Sequence, residues 1–174
     1  MRDLGFVTYG DAAKGNRPKG YSTGGQVTLL VSKQFRRGLE DICSLVSWRS
    51  FKLPRKIIGI NGGESQAFSF AEDHIWLARL FWAELHGVPI ERGRLDQAVK
   101  DVHGAVATDS RGIYDAAVSG ESPQKGLRSS FTGMELEYAC QAALRCGTVL
   151  RWVHGGAMLG DSLTKATAVA RRTM

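Results

Sequence analysis

The sequence predicts one α/β domain: a five-stranded mixed sheet with helices packed on it, in the order β-β-β-α-β-α-α-β-α. Three observations lead there. Residues 4 to 48 hold three β-like segments separated by turn residues. From Gly63 the apolar spacing becomes helical. Two later apolar segments alternate with helical stretches, as crossover units do, so their strands should run parallel to the first. The length of 174 residues suits a single domain with a core at about residues 4 to 172, and 43% hydrophobic content can fill it.

Each element has its local reason. Residues 4 to 11, LGFVTYGD, alternate and end on an acid, as a strand does. Residues 12 to 25 carry Gly, Asn and Pro and read as a loop. Gln26 to Gln34 is β-branched and apolar enough for a second strand, Arg36 to Asp41 is a turn, and Ile42 to Trp48 is a third strand. From Gly63 to His86, apolar residues at 67, 70, 71, 77, 78, 81 and 85 give helical spacing, ended by Gly87, Pro89 and Gly93. Residues 88 to 103 are polar and connecting. Gly104 to Asp109 is a short strand, and Ser110 is placed to cap a helix over 111 to 118. Residues 119 to 132 read as a loop, Met134 to Cys146 as a helix stopped by Gly147, Thr148 to Val153 as a strand and Gly160 to Arg172 as a last helix.

Composition excludes several classes. No stretch is apolar and long enough to span a bilayer, and the N-terminus MRDLGFVTYGD lacks a signal peptide's apolar core. The expectation is an intracellular protein of cytoplasm or nucleus without a membrane partner, and a monomer. Cys43, Cys140 and Cys146 form no CxxC pair and suit neither a disulfide framework nor a zinc site; they read as small buried or half-buried thiols. Net charge is +6, and residues 1 to 59 carry eleven Lys and Arg against four Asp and Glu. A basic N-terminal portion points to a polyanion, with nucleic acid first and a merely solvated surface as the alternative.

Four acids stand where a metal site would need them. Asp11 ends the first strand and Asp109 the fourth, so parallel neighbours would present both at one sheet edge, where open α/β sheets place their sites. Glu64, in the first turn of the long helix, shares a face with Ala67 and Ala71. Asp161 begins the last helix. Taken singly, each could be a turn residue or a helix-dipole partner. Together, converging carboxylates repel unless cations neutralise them, and hard oxygen donors suit Mg²⁺ or Mn²⁺. Two such ions form the standard clamp for phosphodiester hydrolysis.

The motifs resemble the ribonuclease H domain of Copia-type retrotransposon polyproteins over about residues 4 to 167. Tyr9-Gly10-Asp11-Ala12 resembles that family's Tyr-Ser-Asp-Ala, and Ser22-Thr23-Gly24 its Ser-Thr-Ser-Gly. Ser47-Trp48-Arg49-Ser50 is similar to its Ser-Trp-Ser-Ser. Gly63-Glu64-Ser65-Gln66-Ala67 stands where it has Thr-Glu-Ala-Glu-Tyr. Trp76-Leu77-Ala78-Arg79-Leu80 resembles Trp-Leu-Arg-Arg-Leu, and Thr108-Asp109-Ser110 resembles Cys-Asp-Asn. Leu159 to Ala166 is similar to Leu-Ala-Asp-Ile-Leu-Thr-Lys-Ala, the most specific of the motifs. The resemblance implies a ribonuclease H-like fold, with Asp11, Glu64, Asp109 and Asp161 as catalytic and metal-binding acids for two Mg²⁺ or Mn²⁺ ions. It also implies an RNA–DNA hybrid as substrate and a reverse transcriptase domain upstream in a polyprotein. Three positions depart from the family: Ala13 replaces a second acid, Gln66-Ala67 replaces Glu-Tyr, and Thr132-Gly133-Met134-Glu135 replaces Lys-His-Ile-Asp.

Other residues complete the expectation. Lys14, Arg17, Lys19, Arg49, Lys52, Arg55 and Lys56 flank the presumed site in loops and are candidate phosphate contacts; solubility is the plainer role. Ser110 to Gly112 and Asn61 to Gly63 could contact phosphates through backbone N–H groups, or simply start helices. Trp48 is the surface candidate for stacking on bases, whereas helical spacing puts Trp76 and Trp82 in the core. His154, before Asp161, is a candidate for product release or a plain strand-end residue. The leading expectation is a metal-dependent endonuclease acting on the RNA strand of hybrids. The alternatives are a decayed or domesticated module that binds nucleic acid without cleaving it, and a structural domain with an empty metal site.

Overall fold

The structure, a computed structural model, describes residues 3–57, 59–119 and 129–169. Five strands form one sheet: β1 (Leu4–Ala13), β2 (Thr23–Ser32), β3 (Cys43–Lys52), β4 (His103–Thr108) and β5 (Val149–Trp152), in the spatial order β3-β2-β1-β4-β5. β1 to β3 form an antiparallel meander, and β4 and β5 join parallel to β1, as expected. The helices are α1 (Lys33–Arg36), α2 (Ile60–Leu85), α3 (Leu95–Lys100), α4 (Arg111–Val118), α5 (Ser130–Cys146) and α6 (Asp161–Val169). Among the described residues no helix is long and apolar enough to cross a membrane.

The sheet alternates between two apolar clusters. One face of β1, with Phe6, meets Phe68, Ala71 and Ile75 of α2, Ile113 of α4 and Leu136 and Ala139 of α5. The other face, with Val7 and Tyr9, shares a cluster with Ala105, Ala107, Val27, Met158 and Leu163 of α6. At Gly10 a Cβ would come within 2.9 Å of the Ala67 carbonyl oxygen and 3.0 Å of the Ala71 Cβ. Small residues on both sides therefore let α2 lie close over β1.

Several local readings change. Lys33 and Gln34 start α1, because the Ser32 hydroxyl accepts from the N–H groups of Gln34 and Phe35 and caps a helix there. β3 continues to Lys52, so Arg49 and Lys52 sit on a strand rather than in a loop. The connecting stretch 88–103 contains α3, whose Ala98 and Val99 are buried. α2 begins at Ile60, which places Glu64 in the second turn. Ser110 occupies the N-cap position of α4 without a side-chain cap bond; its own N–H donates to Thr108 Oγ1 at 3.1 Å. Trp76 and Trp82 are half-buried rather than fully in the core, and Cys43 is exposed while Cys140 and Cys146 are buried. Gly147, at φ 63°, ends α5 as its conformational freedom allows. The loop expected at 119–132 lies mostly outside the described residues, as does the last helix beyond 169.

A buried arginine, which the sequence pattern does not announce, ties the helical layer to the sheet. Arg79 of α2 is fully buried. Its Nε donates to the Val102 carbonyl at 2.7 Å, one terminal nitrogen to Thr148 Oγ1 at 2.8 Å, and the other to the Cys146 carbonyl at 2.6 Å. Thr148 Oγ1 in turn donates to Glu72 Oε1 at 2.9 Å. Gly104 makes room for this side chain, since a Cβ there would stand 2.6 Å from Arg79 Cδ. Three hydrogen bonds keep the guanidinium from stepping aside. Gly104→Ala should therefore cost roughly 1–3 kcal/mol by overpacking, read as a lower urea midpoint. An unchanged midpoint would show that Arg79 can repack.

Candidate metal centre

The parallel register builds the site. Tyr9 of β1 pairs with Ala107 of β4. Two residues on, Asp11 and Asp109 share that face at the strands' C-terminal end, and Asp161 arrives on the first turn of α6. One carboxylate oxygen from each of Asp11, Asp109 and Asp161 lies within 4.8 Å of the others. Asp11 lies within β1, which runs two residues past it, and its burial to 4% exposure follows from that place. Glu64 reaches the same edge from α2, on the opposite face. It is 6% exposed, it receives the Ala12 backbone N–H, and its Oε2 is buried without a hydrogen-bond partner. Three of the four expected acids thus form the tight group, and Glu64 stands beside it.

Glycines set these approaches. A Cβ at Gly160 would stand 2.8 Å from Asp11 Cβ, and one at Gly25 would stand 2.9 Å from the Gly160 carbonyl oxygen and from Thr164 Cγ2. α6 therefore seats directly on β1 and β2. That seating brings in a residue to which the sequence pattern assigns no role. Thr164 is fully buried, and its Oγ1 donates to Asp11 Oδ2 at 2.5 Å. Its carbonyl accepts from Asn16 Nδ2 at 3.0 Å, which fastens the β1–β2 loop to α6. The only signal for it was its place inside the most specific motif. Lys165 pairs with Asp161 across one helical turn.

The electrostatics are those of crowded, desolvated carboxylates. Burial raises the Asp11 pKa, Thr164 opposes the rise, and Asp109 and Asp161 add to it. Burial and then Asp161 raise that of Asp109, against Lys165. Glu64 is pushed up to about 9, first by burial and then by Asp11 and Asp109. Such a group is short of positive charge. Oxygen donors from rigid elements, an unpartnered buried carboxylate oxygen and mutual repulsion all fit a hard divalent cation.

The other singled-out residues distribute unevenly. Trp48 is 64% exposed on β3. The register Asp11–Gly25–Ser50 puts Trp48, Ser50 and Lys52 on the face of the acids, and the Ser50 hydroxyl donates to the Leu163 carbonyl. Arg49 lies on the other face, over the Phe51 ring. Lys52 and Lys56 stand over the Tyr21 ring at 3.4 and 5.6 Å. Arg17 is held by Thr23 Oγ1, and Arg55 is ion-paired with Glu135. Lys14 and Lys19 are exposed beside the β1–β2 turn. Gly112 faces Asn61, so the two segments considered for backbone phosphate contacts adjoin. His154 is exposed, and its Nδ1 accepts from the Gly156 N–H at 3.2 Å; neighbouring Gly155 stands over Asp109 Oδ2.

The fold is that of ribonucleases H. No protein-family model and no curated protein matches the sequence. Among solved structures, the chain is similar to LC11 ribonuclease H1 in complex with an RNA/DNA hybrid, with 12% identity and a TM-score of 0.58 over 97% of this chain and 99% of that one. It is similar to ribonuclease H1 of the halophilic archaeon Halobacterium salinarum, with 13% identity and a TM-score of 0.53 over 95% and 98% of the two chains. It also matches the foamy viral protease–reverse transcriptase in complex with an RNA/DNA hybrid, with 12% identity and a TM-score of 0.57; the match covers 97% of this chain and 20% of that one.

Glu64 gives the site a pH signature. The folded state keeps the Glu64 proton between its ordinary value of 4.5 and about 9, where the unfolded chain has lost it. Unfolding then releases protons, so the stability of the metal-free protein should fall as pH rises through that window. Urea midpoints at pH 5, 7 and 9 in chelator test this, and Glu64→Gln should flatten the decline. Equal slopes in both proteins would place the penalty elsewhere.

Proposed function

We propose that this protein is a metal-dependent endonuclease that hydrolyses the RNA strand of RNA–DNA hybrids, as a ribonuclease H domain of Copia-type retrotransposon origin. The observation that carries the reading is the convergence of Asp11, Asp109 and Asp161 within 4.8 Å at one sheet edge, with bare Glu64 Oε2 beside them. These four acids would hold Mg²⁺ or Mn²⁺, which when bound lowers the pKa of water and steadies a departing oxygen. Thr164 orients Asp11 through its hydroxyl, and the close seat of α6 holds Asp161 in place. Trp48, Lys52 and the β1–β2 turn with Lys14, Arg17 and Lys19 extend from the acids along one face, a path for a phosphate backbone and a stacked base. Ser110 borders that path, whereas Arg49 lies on the opposite face and Arg55 is paired with Glu135; exposed His154 would assist product release. The reverse transcriptase that the resemblance implies would lie upstream in a polyprotein.

A second reading, a module that binds hybrids without cleaving them, draws support from Lys165. Its ammonium already neutralises part of the Asp161 charge, so the group is partly balanced without a divalent ion.

Cleavage of a labelled hybrid with Mg²⁺ and with chelator decides between the two. Metal-dependent cutting of the RNA strand is expected, and Asp11→Asn or Asp109→Asn should abolish it while the circular dichroism spectrum stays native. Unchanged cleavage in either variant would remove that acid from the mechanism. Binding without cleavage under all metals would favour the second reading.

Hybrid affinity should also depend steeply on salt. Replacing Lys14 and Lys52 by Ala should reduce the log–log salt slope by roughly 1.4–1.8, since each phosphate that a side chain neutralises adds about 0.7–0.9 to it. The measurement is a fluorescence-anisotropy titration with Ca²⁺ in place of Mg²⁺. A double variant with the parent slope would assign these side chains to solubility.

A further inference from the structure

A second cavity lies among α2, α3 and α5, away from the acids at the sheet edge. Its volume is about 300 Å³, and its lining includes Glu72, Asp73, Trp76, Asp96, Tyr138 and Arg145. Glu72 follows Glu64 by eight residues on α2, about 12 Å along the helix axis. The two sites are thus separate.

Glu72 is the unusual member. It is 1% exposed, yet its buried Oε2 has no hydrogen-bond partner. Arg79 does not supply one, because its three nitrogens bond to Val102, Thr148 and Cys146. Asp96 is satisfied by the Trp76 indole N–H at 2.9 Å and by Arg145 at 3.6 Å. Asp73 has no ion pair among the described residues. Arg79 offsets part of the Glu72 charge through space, so the cavity holds the negative surplus of Asp73 beside a Glu72 oxygen that no hydrogen bond satisfies.

A bare metal ion does not fit this surplus. Among the described residues, the only set of three acidic, His or Cys donors within 4.8 Å is Asp11, Asp109 and Asp161. The charge around Glu72 is spread wider and calls for a polyatomic cation. Trp76 and Tyr138 add aromatic surface, which attracts alkylammonium groups, and the volume is at the lower end of small-ligand pockets, about 300–1,000 Å³. We propose that this cavity binds a small aliphatic ammonium ion, its charge received by Glu72 and Asp73 and its alkyl chain lying against Trp76 and Tyr138.

Burial raises the Glu72 pKa to about 7, opposed by Thr148 and Arg79 and aided by Asp73. The other groups around it are Cys140 and Cys146 of α5, both pushed up to about 11, with Asp96 on α3 and Arg145 on α5 beyond them. The cation needs ionised Glu72. Binding at pH 8 should therefore be about tenfold tighter than at pH 6, following the ionised fraction.

The test is a calorimetric titration of the whole protein with putrescine, with Mg²⁺ present to mask the sheet-edge acids and KCl matching ionic strength. Saturable binding and a shift of the Trp76 indole N–H resonance are expected, with no comparable binding of uncharged 1-butanol. Glu72→Gln, which keeps an acceptor for Thr148, and the exposed Asp73→Asn should each weaken binding at least tenfold. If Glu72→Gln fails to fold, Asp73→Asn decides alone. Wild-type affinity in the folded variants, equal binding of 1-butanol, or no heat and no Trp76 shift at millimolar putrescine would overturn the proposal.

Discussion

The parallel pairing of β1 with β4 is the constraint on which the rest depends. Its register sets Tyr9 beside Ala107, and two residues further the alternation of a strand brings Asp11 and Asp109 to the same face. A slip of one residue would send one carboxylate to the opposite face, and the group that includes Asp161 could not form. The meander on one side and β5 on the other hold β1 and β4 at the centre of the sheet, where that register is protected from fraying.

Close approach then brings in the remaining acids. Gly10 against Ala67 and Ala71 lowers α2 onto one face, and Gly25 with Gly160 lowers α6 onto the other. Glu64 and Asp161 therefore reach one sheet edge from opposite sides. Each of these approaches uses the absence of a side chain to place a charged one, and carboxylates held this way cannot relax apart to relieve their repulsion. The raised pKa values of Asp11, Glu64 and Asp109 follow from that geometry. The Arg79 network does similar work at the other end of α2, where it joins α2 to the start of β4, the end of α5 and the start of β5.

Much of this was legible along the chain. The change of period at Gly63 and the acids after two apolar segments gave the order of the five strands and main helices and the strand-end position of Asp109, because alternation and helical spacing are local properties; Asp11 instead lies within β1, two residues before its end. The extent of elements was less legible. β3 runs past Trp48 because it pairs with β2 up to Thr23, and α3 forms within a polar stretch because Ala98 and Val99 find a buried place. Capping at Ser32 won over a strand reading for Lys33 and Gln34, a local competition that propensity alone did not resolve.

The amino-acid order by itself determined the fold class, the order of the strands and main helices, and the elements that carry the four acids, since each rests on short-range pattern. Only the tertiary structure decided that Asp11, Asp109 and Asp161 meet within 4.8 Å while Glu64 stands beside them. It alone showed that Thr164 holds Asp11, that Arg49 faces away from the acids and that Arg55 is taken by Glu135. It also showed that Glu72, an ordinary helical glutamate in the sequence, is buried with one oxygen bare. These are relations between residues as many as 153 positions apart; they follow from packing distance and strand register, which no local spacing encodes.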